Sequence, residues 1–235
     1  MGLILDWVPN HMGISGNTNA WWLDVLENGP SSPHARFFDI DWTPVKAELT
    51  NKVLLPVLGD QYGKVLENQD LRLAFQEGAF SVWYQHRRLP IDPGQYIQIL
   101  QHRLDVLADL LDGENVHFLE LQSILTALGH LPPTTETDPE KVIERQREKE
   151  IIKKRLAKLS DESEDVRRFI EENVRIFNGK KEDPRSFDLL DTLLAAQVYR
   201  VAFWRVAGEE INYRRFFDIN ELAAIRMEHP DVFQE

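Results

Sequence analysis

The 235-residue sequence predicts a mainly α fold with a small antiparallel β-sheet. Three observations carry this. From Gly94 to Leu194 apolar residues recur at spacings of mostly three and four, the period of one helix face. Three short runs between Leu71 and Ile91 alternate with period two, and a Glu77-Gly78 turn signal separates the first pair. Gly and Pro punctuate the helical region into segments joined by short connections, the pattern of consecutive helical hairpins.

The chain opens on Leu3-Ile4-Leu5, an apolar run that reads as a buried strand and stops at Asp6, Pro9, Asn10 and His11. Polar groups gathered where a strand ends are expected at a ligand crevice, because the loops after strand C-termini line it. A strand beginning at residue 3 leaves no room for strands before it, so the sequence is expected to be an excised piece of a larger protein. Ala20–Glu27 reads as a short helix with Asn19 as N-cap, stopped by Asn28-Gly29-Pro30. The irregular stretch 31–44 holds Phe37-Phe-Asp-Ile-Asp-Trp42, aromatics interleaved with carboxylates. Ring faces cover the apolar face of a sugar and carboxylates accept its hydroxyls, although a loop anchored by buried aromatics would have the same composition.

Val53–Leu58 reads as a strand that Pro56 confines to an edge. Leu71–Phe75, Phe80–Tyr84 and Arg87–Ile91 form the antiparallel sheet. His86-Arg87-Arg88 is a basic cluster that suits a phosphate, but a solvated strand end is the favoured reading. Tyr96, Ile99, Leu100, Leu104, Leu107, Leu110 and Leu111 share the face of a first long helix; Phe118, Leu121, Ile124, Leu125 and Leu128 share that of a second, closed by Gly129.

Thr137 or Asp138 caps a third helix whose stretch 140–158 mixes Glu, Lys and Arg, with Val142, Ile143, Ile151, Ile152, Leu156 and Leu159 as a thinner apolar stripe. The charge run reads as solvated exterior. Ser160 or Asp161 caps a fourth helix to about Phe177, and Asp183-Pro184 starts a fifth to about Leu194. After the aromatic run 199–205, Asn220–Ala223 is expected to begin a short helix and Pro230 another. The segments divide as 1–50, a strand end with its aromatic loop; 51–93, the small sheet; 94–194, a helical subdomain; and 195–235, a return segment.

Composition narrows the function. With 27 basic and 39 acidic residues the formal charge is −12, which disfavours binding to nucleic acid or to anionic membranes and leaves a neutral partner. Cysteine is absent, excluding disulfides and thiolate metal sites. No apolar run approaches spanning length and the first residues lack a signal-peptide pattern, so a cytoplasmic location is expected. There is no glycine-rich phosphate loop, helical His-Glu-x-x-His or nucleophile elbow. Asp6, Asn10 and His11 could ligate a metal, but no further ligands cluster near them, so neither metal nor cofactor is expected.

Asp6-Trp-Val-Pro-Asn-His11 resembles the first sequence motif of the α-amylase superfamily, which ends the third strand of a (β/α)8 barrel. Trp21-Trp22 with Asp24–Gly29, Phe37–Trp42, Lys52–Gly59 and Ile211–Asn220 are together similar to the maltooligosyltrehalose synthase family, and the resemblance covers nearly the whole chain. It implies the helical insertion subdomain of a (β/α)8-barrel enzyme, with the barrel itself largely absent. The implied reaction is an isomerisation of maltooligosaccharide that converts the reducing-end α-1,4 bond to an α,α-1,1 bond. Its chemistry resembles that of retaining glycosidases, with two carboxyl groups about 5 Å apart.

By position His11 would touch hydroxyls of the sugar at the cleavage site, beside Asn10. Trp22 would be a stacking platform and Tyr213, Arg214, Arg215 and Asp218 part of the substrate wall, while Asp6 would hold the strand end. The family's nucleophile lies in an Arg-x-Asp-His motif that no stretch here matches. No catalytic residue is therefore assigned, and the chain alone is expected to lack mutase activity. A noncatalytic carbohydrate-binding or interaction module and a piece of an α-glucan hydrolase are the alternatives. Residues 3–5, without barrel neighbours, are expected to pair differently or fray.

Overall fold

The computed structural model describes residues 2–3 and 9–234, so the expected strand at 3–5 and the placement of Asp6 lie outside the described residues. In chain order the elements are β1 (His11–Gly13), α1 (Ala20–Asn28), β2 (Val53–Leu58), α2 (Tyr62–Glu67), β3 (Leu71–Gln76), β4 (Ala79–Tyr84) and β5 (Arg87–Pro90). Five helices follow: α3 (Tyr96–Leu100), α4 (Leu104–Leu111), α5 (Val116–Gly129), α6 (Pro139–Glu162) and α7 (Glu164–Phe177). The chain continues through α8 (Asp188–Ala195), β6 (Tyr199–Phe203), α9 (Ala207–Glu210), β7 (Arg215–Phe216), β8 (Ile219–Ala224) and α10 (Pro230–Gln234).

The fold is mainly helical with small sheets. The antiparallel meander β3-β4-β5 forms where the period-two runs lie, in register Leu71 to Tyr84 and Ser81 to Pro90. Two further sheets join distant segments: β2 pairs in parallel with β6, and β1, β8 and β7 make a three-stranded antiparallel sheet. One apolar core runs through all of them, from Trp22 and Phe38 through Leu71 and Tyr96 to Leu156, Phe187 and Ala223.

Three asparagine side chains occupy strand edges. Asn178 accepts from Leu73 N at 2.7 Å and donates to Leu73 O at 2.9 Å along β3. Asn17 accepts from Arg88 N at 2.7 Å and donates to His86 O at 3.0 Å beside β5. Asn212 accepts from Leu54 N at 2.9 Å and donates to Lys52 O at 2.7 Å beside β2. A carboxamide has the donor and acceptor layout of a peptide unit, so each amide stands in for one residue of a neighbouring strand.

Several expectations are corrected. Asn220–Ala223 lies in strand β8, not a helix: Met12 and His11 pair with Ala223 and Ala224, whose small side chains fit buried between the neighbouring strands. Pairing across the sheet overrides the helix preference of the two alanines. The first long helix is two, because Arg103 takes a left-handed conformation (φ 57°) and the Asn173 side-chain amide donates to the Ile99 and His102 carbonyls at the break. Leu110 is consequently exposed.

Neither Ser160 nor Asp161 caps the fourth helix; α6 continues to Glu162 and Ser163 is the N-cap of α7. A 3-10 turn over Pro184–Phe187 precedes α8. On α6, Ile143 and Ile151 are exposed while Arg145 and Lys149 are buried, so the charge run is not all solvated exterior.

The β3–β4 turn fixes the meander on α6. Gly78 has φ +78°, and a Cβ there would lie 1.9 Å from Lys153 O and 2.8 Å from Ala157 N. Both the backbone conformation and the contact exclude a side chain. Gly78→Ala is expected to lower unfolding stability by about 2 kcal/mol or more, measured by urea denaturation; a loss within error would show that the hairpin can lift from α6.

Candidate functional site

A cleft of about 390 Å³ opens where the three sheets approach α1. Its floor is Ile14, Trp22, Leu26, Leu55 and Leu89, and its rim includes Arg87, Tyr213, Asn220 and Glu221. Asn19 starts α1, its side chain accepting from Trp22 N at 3.0 Å and donating to Gly13 O at 2.8 Å. Trp22, only 2% exposed, packs edge-on against Phe38 (4.9 Å) and Tyr213 (5.5 Å). Tyr213 is buried and donates to Asn220 O at 2.7 Å; burial pushes its hydroxyl pKa up, against the opposing pull of Arg215 and Arg87. Across the mouth Arg87 of β5 pairs with Glu221 of β8.

The residues marked in sequence divide. Trp22 and Tyr213 meet in the cleft wall. His11 lies in β1, its Nδ1 3.0 Å from Asn10 Oδ1 and its ring edge-on to Phe216 at 5.0 Å. Its Nε2 is buried without a partner among the described residues. Arg215 bonds Asn220 Oδ1 and lies 3.2 Å from Asp218, whose carboxylate is in solvent. Arg214 instead borders a separate recess with Asp39 and Asp41. Asn10 is exposed, and its carbonyl accepts from Ile225 N at 2.9 Å.

Sequence reasoning missed Arg87, Asn220 and Glu221 as a group. The basic cluster at Arg87 was the available signal, and only the β5–β8 approach gives it an acidic partner.

Behind the cleft, α1 is bound to α6 by ion pairs. Lys149, 3% exposed, donates to Asp24 Oδ1 at 2.9 Å and Glu27 Oε2 at 2.7 Å, and Lys153 donates to Glu27 Oε1 at 2.6 Å. Asp24 also accepts from Ser32 Oγ at 2.5 Å and lies 3.4 Å from His34 Nδ1. Arg145, 1% exposed, reaches Asp92 at 2.6 Å, Asn28 Oδ1 at 3.2 Å and Pro132 O at 2.5 Å. Burial opposes ionisation of Asp24, yet His34, Lys149 and Ser32 hold its carboxyl well below the usual range. Burial likewise opposes ionisation of Glu27, and Lys149 and Lys153 overcome it. Among the described residues no group of three or more His, Asp or Glu side chains has a metal-holding arrangement, and no helix is long and apolar enough to cross a membrane.

A 61-residue segment, 25% of this chain, is 52% identical to proteins of Mycobacterium tuberculosis strains CDC 1551 / Oshkosh and ATCC 25618 / H37Rv, both provisionally named maltooligosyl trehalose synthases. Over this segment the chain is similar to proteins named maltooligosyl trehalose synthases. The match spans 7% of the length of those relatives. No protein-family model matches. Among solved structures, maltooligosyltrehalose synthase from Arthrobacter ramosus aligns over 100% of this chain and 18% of its own, at 24% identity and TM-score 0.49. DSM5389 glycosyltrehalose synthase aligns over 97% and 19%, at 20% identity and TM-score 0.48.

The ion network sets an acid limit on stability. Asp24 and Glu27 titrate lower in the folded chain than in the unfolded one. Their contribution is therefore complete above the unfolded carboxyl pKa of about 4 and is lost as pH falls further. The urea midpoint is expected to hold between about pH 7 and 5 and to drop below about pH 4. Lys149→Met removes one buried ammonium from both carboxylates, leaving Asp24 with Ser32 and His34 and Glu27 with Lys153; it is expected to cost about 3 kcal/mol at neutral pH and should flatten the acid limb. An acid limb unchanged in that variant would place the acid sensitivity elsewhere.

Proposed function

We propose that this chain is a substrate-binding portion of a maltooligosyltrehalose synthase, the insertion subdomain of a barrel enzyme that moves the reducing-end α-1,4 bond of a maltooligosaccharide to an α,α-1,1 bond. The supporting observation is the 61-residue match at 52% identity, and the chemistry of the cleft agrees with it. The apolar floor suits the C–H face of a glucosyl ring. Arg87 pairs with Glu221 across the mouth, and with Arg88 and Asn220 beside them the rim offers both donors and acceptors to the hydroxyls of a neutral glucan.

In this reading Trp22 and Tyr213 shape the wall, Asn220 and Arg87 meet hydroxyls, and His11 Nε2 is assigned to a further sugar hydroxyl. Arg215 holds the β7–β8 turn through Asn220 and Asp218, while Arg214 lines the separate recess with Asp39 and Asp41 and Asn10 anchors Ile225 through its carbonyl. The sequence contains no Arg-x-Asp-His stretch, so the nucleophile and the acid are assigned outside these residues. The chain would contribute orientation of the glucan and exclusion of water, which keeps the released glucose from being replaced as acceptor.

Maltotriose titrated into the purified chain by calorimetry is expected to bind, and Arg87→Ala or Asn220→Ala to weaken binding about tenfold, the loss of one good hydrogen bond. The chain incubated with maltopentaose should yield no trehalose-terminated product. Such a product would overturn the assignment of the catalytic carboxylates outside this chain, and release of reducing sugar alone would favour an α-glucan hydrolase.

A further inference from the structure

A second cleft, of about 520 Å³, lies between α2, α8, β6 and the turn before β2, and shares no lining residue with the first. One part of its wall is apolar: Leu194, Val201, Phe203 and Val206. The rest alternates charge. Tyr62 donates to Asp191 at 2.7 Å, Arg200 donates to Glu48 at 2.5 Å, and the Lys52 ammonium donates to the Ala195 carbonyl. Glu210 completes the rim and is itself paired with Lys46 at 2.6 Å.

Each of these groups has bonding capacity left over. The ammonium has three donors and uses one here, and the Asp191 carboxylate has a second oxygen. Burial, reinforced by Arg200, pulls the Lys52 pKa down, the signature of an ammonium short of acceptors.

The alternation selects the ligand class. An anion would face Asp191, Glu48 and Glu210, and a cation would face Lys52 and Arg200. A neutral polyhydroxylated molecule both donates and accepts, and its C–H face matches the apolar wall. We propose that this cleft is a second carbohydrate site, taking one or two glucosyl units of an α-glucan at a distance from the first cleft. The identification of the sugar as α-glucan rests on the function proposed above; the neutral polyol chemistry rests on the cleft alone.

The test is a chemical-shift titration of the isotopically labelled chain with maltotriose, read at both clefts. Saturable shifts are expected at Tyr62, Asp191 and Val201–Phe203. Tyr62→Phe and, independently, Asp191→Asn should weaken the affinity read there by about tenfold, with first-cleft shifts at Trp22 and Tyr213 unchanged. Shifts confined to the first cleft would overturn the second site and leave the proposed function standing. Shifts at neither cleft would overturn both. Saturation of the second cleft by inorganic phosphate or acetate, without maltotriose, would overturn the neutral-ligand assignment while leaving the first cleft unaffected. Both substitutions alter partly or fully exposed side chains, so either folded variant suffices.

Discussion

The contact between α1 and α6 is ionic where most helix pairs are apolar, and the rest of the structure hangs on it. Residues Arg145, Lys149, Ile152, Leu156 and Leu159 of α6 follow one another at spacings of four, three, four and three and are all buried. They form a single helix face whose first two members are charged. Asp24 and Glu27 are one turn apart on α1, and Lys149 and Lys153 are one turn apart on α6, so the pairs fit in one register. An apolar face could slide; a buried charge displaced by a turn loses its counter-ion at a cost of about 3–5 kcal/mol. The network thus fixes where α1 sits, and α1 carries Trp22 into the cleft wall.

The sheets are completed by a related device. Each is short, and edge strands of short sheets leave backbone groups to be satisfied or covered. Asn17, Asn178 and Asn212 meet this need at β5, β3 and β2 from a loop, a helix end and the segment after α9. Each amide also ties its own segment to the sheet it caps. Asn212 makes a further bond beyond the sheet, donating to Asp41 O at 2.8 Å, and thereby secures the aromatic-acidic loop. Side-chain amides so placed are tertiary contacts with the geometry of secondary structure, which explains how three small sheets share one core without joining into a larger one.

This device also separates what could be read in the sequence from what could not. Local signals were legible: Asn19 as a cap, the Glu77-Gly78 turn, the meander, Gly129 at a helix end and Asp138 as a cap all depend on neighbours in sequence. The parallel β2–β6 pair and the strand nature of β8 were not, because both depend on partners more than a hundred residues away. The α6 stripe was legible only in its apolar half. A search for apolar residues takes in Ile151 and Ile143, which are exposed, whereas the spacing of Ile152, Leu156 and Leu159 carried backward reaches the buried Lys149 and Arg145, whose burial requires their acidic partners. In the cleft, Trp22 and Tyr213 could be marked through the family resemblance, but Arg87 gains its meaning only from Glu221, which the sequence separates by more than a hundred positions.

The two clefts lie on either side of one structural irregularity. Strand β2 pairs regularly with β6 from Val53 to Leu55, then slips in register before Leu58 pairs with Phe203. Pro56 sits in the slip: it has no N–H to give the ladder, so the pairing there must break. The break leaves Leu55, Pro56 and Val57 lining the first cleft, while Tyr199–Phe203 of the partner strand lines the second. A regular parallel pair buried on both faces would leave less room for either. A single backbone feature legible in the sequence as an edge signal is therefore better understood as a spacer, holding apart two concave surfaces that each bring charges of both signs together. In a chain of net charge −12, such mixed rims present donors and acceptors side by side, the arrangement that an uncharged, hydroxyl-rich ligand can use.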